Sequence, residues 1–132
     1  MGEVNLLAVF LGAAAFFAVG WIWYGMLFGK VWRREAGITP EMMAGANMPL
    51  IFGLSFLFEL LIAVMLGHNF ARLSPPPHVM MMIATGFGAT IMAPAIGINY
   101  LYQRKSGTLF AIDAGHCIVG MAAMGAVFVL LR

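Results

Sequence analysis

Residues 49–71 read PLIFGLSFLFELLIAVMLGHNFA, and this stretch decides the fold. It is apolar almost throughout, and its single acid, Glu59, lies near the middle. The hydrocarbon core of a bilayer, about 30 Å thick, needs about 20 apolar residues in a helix, so 49–71 is long enough to cross it. Three other stretches share this character, at about 4–28, 79–102 and 109–131, and together the four nearly fill the 132 residues. The sequence therefore predicts an all-α integral membrane protein, a single domain built as a four-helix transmembrane bundle. Composition agrees. The chain is 63% hydrophobic and 9% charged, whereas a soluble domain carries about 25% charged residues. The expected surroundings are the lipid bilayer. A net charge of +2, scattered along the chain, gives no patch for nucleic acid. The first stretch carries Glu3 and no basic residue ahead of a long apolar run, so it reads as a span and not as a signal peptide.

The loops orient the bundle. Lys30, Arg33 and Arg34 lie in loop 29–48, and Arg104 and Lys105 in loop 103–108; the opposite side has only Arg72 and Arg132. This excess predicts cytoplasmic loops at 29–48 and 103–108, with both termini outside. Trp23, Tyr24 and Trp32, together with Tyr100 and Tyr102, flank the same ends and read as an interfacial aromatic belt. Thr39-Pro40-Glu41 is a helix start, with a capping hydroxyl, a proline in the first turn and an early acid. It predicts a short surface helix within 39–45. Pro75-Pro76-Pro77 makes a stiff corner in the outer loop.

Small or polar residues recur four apart in two spans: Ser55, Glu59, Ala63 and Gly67 in the second, and Thr85, Ala89, Ala93 and Gly97 in the third. Residues at that spacing share a helix face, and small side chains let helices approach closely. Gly25 and Gly29 form a Gly-x-x-x-Gly pair. Pro94 removes a backbone donor and crowds the carbonyl four residues back, at Thr90, which predicts a kink.

Polar groups inside apolar spans are costly and mark places that need a reason. Counted from the cytoplasmic side at the helical rise, Glu59 lies about 15 Å deep, His116 about 10 Å and Asp113 about 6 Å. Asn99 falls near the level of Asp113. Glu59, Asn99, Asp113 and His116 are thus expected to converge in the cytoplasmic half, with Gly120 extending the face of Asp113 and His116. Three readings follow: a buried hydrogen-bonded pair that fixes helix registry, a proton- or ion-coupled site, and a catalytic dyad. The last lacks a nucleophile at useful spacing, so no catalytic residue is assigned and catalysis is not expected. Asp113 and His116 lack further spaced ligands, so no metal or other cofactor is implied. His68 and His78 flank the outer loop, and the lone Cys117 cannot form an intrachain disulfide.

The block Trp23-Tyr24-Gly25-Met26-Leu27-Phe28-Gly29-Lys30-Val31-Trp32, the run Asn99-Tyr100-Leu101-Tyr102-Gln103-Arg104 and the run Asp113-Ala114-Gly115-His116 carry a resemblance that covers nearly the whole chain. The sequence resembles a bacterial family of small four-span membrane proteins catalogued as domain of unknown function 1761. The resemblance implies a multi-pass protein of the bacterial inner membrane and brings no activity with it. It implies asparagine more often than aspartate at position 113, so Asp113 departs from the pattern. Three functions remain in competition. The first is a small transporter or channel-like protein for a small solute or ion, assembled as a homo-oligomer. The second is a non-catalytic accessory or scaffold subunit docked on helices of a larger membrane complex. The third is a membrane enzyme acting on a lipophilic substrate.

Overall fold

The first backbone N–H groups of a helix have no partner inside it, and short polar side chains supply one. In the computed structural model, which describes residues 3–132, Asn5 accepts from the Ala8 N–H at 3.1 Å and opens the first span, Leu6–Leu27. Asn47 accepts from the Leu50 N–H at 3.1 Å ahead of the second, Met48–Leu73. Ser106 accepts from the Leu109 N–H at 3.1 Å ahead of the fourth, Gly107–Leu130. The third, Pro77–Gln103, opens on a proline, whose missing N–H is harmless in the first turn. Ser74 and Arg104, both left-handed with φ of 46° and 57°, turn the chain out of the second and third spans. Two short helices, Gly29–Ala36 and Pro40–Ala44, fill the connection between the first two spans. Gly37 separates them at φ 74°, a conformation that favours glycine, and the Thr39 hydroxyl caps the second by accepting from the Met42 N–H at 3.2 Å. Every regular element among the described residues is helical.

The fourth span is the centre of the bundle. Half of its most apolar window, 50%, is buried, against 28%, 22% and 22% for the other three. It packs along the first and third spans, and the first also packs along the second. Phe16, Leu66, Met121, Met124 and Phe128 form the core, with Ala8, Ala13 and Ala63 between them. In a bilayer no hydrophobic drive pulls helices together, so this close fit and the dispersion it brings hold the bundle. Gly120 is part of that fit: a Cβ there would stand 2.8 Å from the Phe16 ring. Asn5 Nδ2 also donates to the Leu131 carbonyl at 3.0 Å, tying the start of the first span to the end of the fourth.

Two spans contain a widened, π-helical turn, at Trp23–Leu27 and at Phe87–Met92. Each adds one residue to a turn and so shifts which side chains face inward. In the third span the buried positions run Met80, Ala84, Gly88 and then Ala93, a step of five where the others are four. The expected stripe Thr85, Ala89, Ala93 and Gly97 is therefore not one face: Ala93 is buried, while Ala89 is exposed. Thr85 turns its hydroxyl to its own helix, donating to the Met81 carbonyl at 2.7 Å. The same turn runs into Ala93-Pro94, and Pro94 falls at the start of the regular helix that follows, where it needs no donor. Gly88 lies at closest approach to the fourth span, since a Cβ there would be 2.9 Å from the Cys117 carbonyl oxygen.

Candidate functional site

The first π-helical turn sets up the most connected polar cluster. Its defining bond runs from the Phe28 N–H to the Trp23 carbonyl at 2.8 Å. The turn brings consecutive side chains, Trp23 and Tyr24, to bear on consecutive residues of the fourth span. The Trp23 indole N–H donates to the Ile112 carbonyl at 2.8 Å. The Tyr24 hydroxyl donates to Oδ1 of Asp113. From the third span, the Tyr100 hydroxyl donates to Oδ2 of the same carboxyl. Asp113 is buried, at 7% exposure, and both of its oxygens are occupied. One side chain of the fourth span thus fastens the first and third. Gly115 makes room for the Trp23 ring, which a Cβ would approach to 2.9 Å. Trp32 packs edge-on against Tyr24 with ring centres 5.6 Å apart.

His116 stands one turn beyond Asp113, between the rings of Phe16 and Tyr24, with ring centres 5.1 Å and 5.0 Å away. Its Nε2 points at Gly20, where a Cβ would lie 3.0 Å from that nitrogen. Nε2 is buried and has no hydrogen-bond partner among the described residues. Glu59, on the second span, is in the same state: it is 8% exposed and its Oε1 is buried without a partner among the described residues. Glu59 and His116 therefore do not pair with each other through these atoms.

Beside the network, just outside the spans, Glu35 lies in the helix Gly29–Ala36. The Ser106 hydroxyl next to it holds its carboxyl below the usual glutamate range, and the Arg34 guanidinium, 3.5 Å away, adds to the effect. Ser106 also caps the fourth span, so Glu35 sits at the start of the helix that carries Asp113.

Residues 7–129 match the family described as Protein of unknown function (DUF1761). The chain belongs to the DUF1761 family. The matched stretch of this DUF1761 chain holds Glu59, His116 and the whole Asp113 network. Among curated proteins and among solved structures nothing matches it.

The four polar residues expected to converge are only partly brought together in this DUF1761 bundle. Asp113 and His116 are neighbours that share contact with Tyr24. Asn99 is exposed and takes no part in the network. Glu59 bonds to none of the other three. The expected aromatic belt also divides. Tyr102 is 86% exposed, whereas Tyr24 and Tyr100 turn their hydroxyls inward and Trp23 anchors a backbone carbonyl. The sequence held only a partial signal: Tyr24 and Tyr100 fall near the ends of apolar runs, a position that suits the interface as well as a buried carboxyl in need of donors. Of the packing residues, Glu59, Ala63 and Gly67 share a buried face and Ser55 is half-buried. Gly97 lies against Phe110, and Gly29 is buried at the π-helical turn beside the Tyr24 carbonyl. Gly25 is exposed and has nothing within 4 Å of its added Cβ position, so the Gly-x-x-x-Gly pair forms no helix contact among the described residues. Among the described residues no three His, Cys, Asp or Glu side chains gather to hold a metal.

Proposed function

We propose that the protein is a small transport protein of the bacterial inner membrane, moving protons or a small cation as a homo-oligomer, with Glu59 as the group that takes up the charge. One observation carries this reading: Glu59 Oε1 and His116 Nε2 are buried in apolar spans with no hydrogen-bond partner among the described residues. An unpaired polar atom in hydrocarbon costs roughly several kcal/mol, and ionisable groups within spans mark ion and proton pathways. The Asp113 network has all its oxygens satisfied and belongs to the scaffold in this reading. The loops 29–48 and 103–108 face the cytoplasm here, supported by their basic residues. The test is proton flux into proteoliposomes carrying a pH-sensitive dye under an imposed membrane potential. Wild-type protein should dissipate the gradient and Glu59→Gln should not; equal flux from the two overturns the proposal.

A second reading, a non-catalytic subunit of a larger membrane complex, draws on the exposed apolar face of the second span, where Leu57, Phe58 and Leu61 are 49%, 59% and 60% exposed. It predicts a stoichiometric partner co-purified in mild detergent, and a lone homo-oligomer counts against it.

A further inference from the structure

The second and third spans make few close backbone contacts with each other, and two openings lie along them. At the end of the bundle that carries both termini, the seam opens into a cleft of about 390 Å³. Its floor is apolar, made by Gly67, Phe70, Met80 and Phe128. Its rim carries opposite charges, Glu3 and Arg132. Arg132 uses one Nη1 hydrogen on the Val129 carbonyl, which leaves its other donors to face outward. Among the described residues no ion pair joins Glu3 to Arg132. Further along the same two spans lies a second, wholly apolar groove of about 370 Å³, walled by Leu61, Ile62 and Met65 on one side and Phe87, Ile91 and Met92 on the other. From Met80 to Ile91 the helix advances about 16 Å. The π-helical turn Phe87–Met92 shapes this groove: Gly88 presses its backbone on the fourth span, which leaves Phe87, Ile91 and Met92 to the seam. Widened turns of this kind recur at functional sites.

We propose that this seam is a specific site for a zwitterionic phospholipid, whose phosphate meets Arg132, whose amine meets Glu3 and whose acyl chain lies in the Leu61–Ile91 groove. The charge pattern selects the ligand. A guanidinium alone would accept any anionic lipid, but a carboxylate on the same rim repels a second negative charge and attracts an ammonium. The order of polarity selects it too, since a charged mouth at the end of the bundle, with an apolar groove deeper along the same two spans, matches a headgroup followed by a chain. The site is separate from Glu59 and His116 and stands whether or not the protein transports anything.

Native mass spectrometry of the full chain in detergent, titrated with phosphatidylethanolamine or phosphatidylglycerol, tests it. Phosphatidylethanolamine should bind more tightly, by about tenfold. Arg132→Gln should weaken phosphatidylethanolamine binding by about tenfold or more, the scale of a lost charge-assisted hydrogen bond. Glu3→Gln should erase the preference between the two lipids. Ile91→Trp, which fills the groove from an exposed position, should weaken the intact lipid. Soluble glycerophosphoethanolamine should compete poorly because it has no chain. Equal binding of both lipids to wild-type protein, or wild-type selectivity in Arg132→Gln and Glu3→Gln, would mean ordinary annular lipid and overturn the proposal. Competition by the soluble headgroup as strong as by the lipid would overturn the role of the groove.

Discussion

Asp113 and Glu59 are both carboxyls buried in apolar helices, and their surroundings are opposites. Asp113 receives a hydroxyl from each of two other spans. Glu59 keeps an oxygen that touches no donor among the described residues. The contrast separates two uses of a polar group in a membrane. A carboxyl with every oxygen occupied specifies how helices meet, and it resists change because each partner would be stranded without it. A carboxyl left unpaired adds nothing to the fold, so its presence in the span calls for another reason.

The comparison breaks most easily at Asp113. Asp113→Ala leaves two part-buried hydroxyls without their acceptor and should cost about 3 kcal/mol of unfolding free energy, from the penalty for stranding polar groups away from water. Denaturation in mixed micelles measures it. Gly115→Ala tests the neighbouring fit, since its Cβ would reach 2.9 Å from the Trp23 ring and that ring is pinned by its bond to Ile112. Overpacking of this kind should cost about 1–3 kcal/mol. Tyr24→Phe and Tyr100→Phe each remove one donor and should cost about 1–2 kcal/mol apiece. A double-mutant cycle between either tyrosine and Asp113 should show strong coupling, while either tyrosine with Glu59 should be additive.

The smallest effect concerns pH. Ser106, with help from Arg34, holds the Glu35 carboxyl below its ordinary range, so the folded state favours the charged form. Its contribution is therefore fully present above the usual glutamate range and disappears as pH falls through the lowered value in the fold. Unfolding of wild-type protein and of Glu35→Gln, measured from neutral pH downward, should differ at neutral pH and converge in acid. A difference that grows in acid would show the opposite sign.

The four spans were legible because the bilayer demands a long apolar run, and few other structures supply one. The buried face of the second span was legible for a similar reason: Glu59, Ala63 and Gly67 follow an undisturbed helical period. What the sequence hid traces to the two π-helical turns. An extra residue in a turn leaves no compositional mark, yet it moves Ala89 outward and Ala93 inward, and it swings Trp23 and Tyr24 onto the fourth span. Tyr24 and Tyr100 were hidden in another way. A tyrosine near a span end suits the interface and a buried carboxyl equally well, and only the placement of Asp113 decides between them. Asn99 shows the limit of counting depth alone: it shares a level with Asp113 but faces away from the bundle.

The most direct test of the division between the two carboxyls uses the amide in place of each. Asp113→Asn keeps the shape but leaves one acceptor oxygen for two hydroxyls, while Glu59→Gln breaks no hydrogen bond. Unfolding free energies of the two variants, measured side by side in one lipid–detergent mixture, should show a loss of about 1–2 kcal/mol for Asp113→Asn and none for Glu59→Gln. A loss in Glu59→Gln equal to or greater than that in Asp113→Asn would contradict the account.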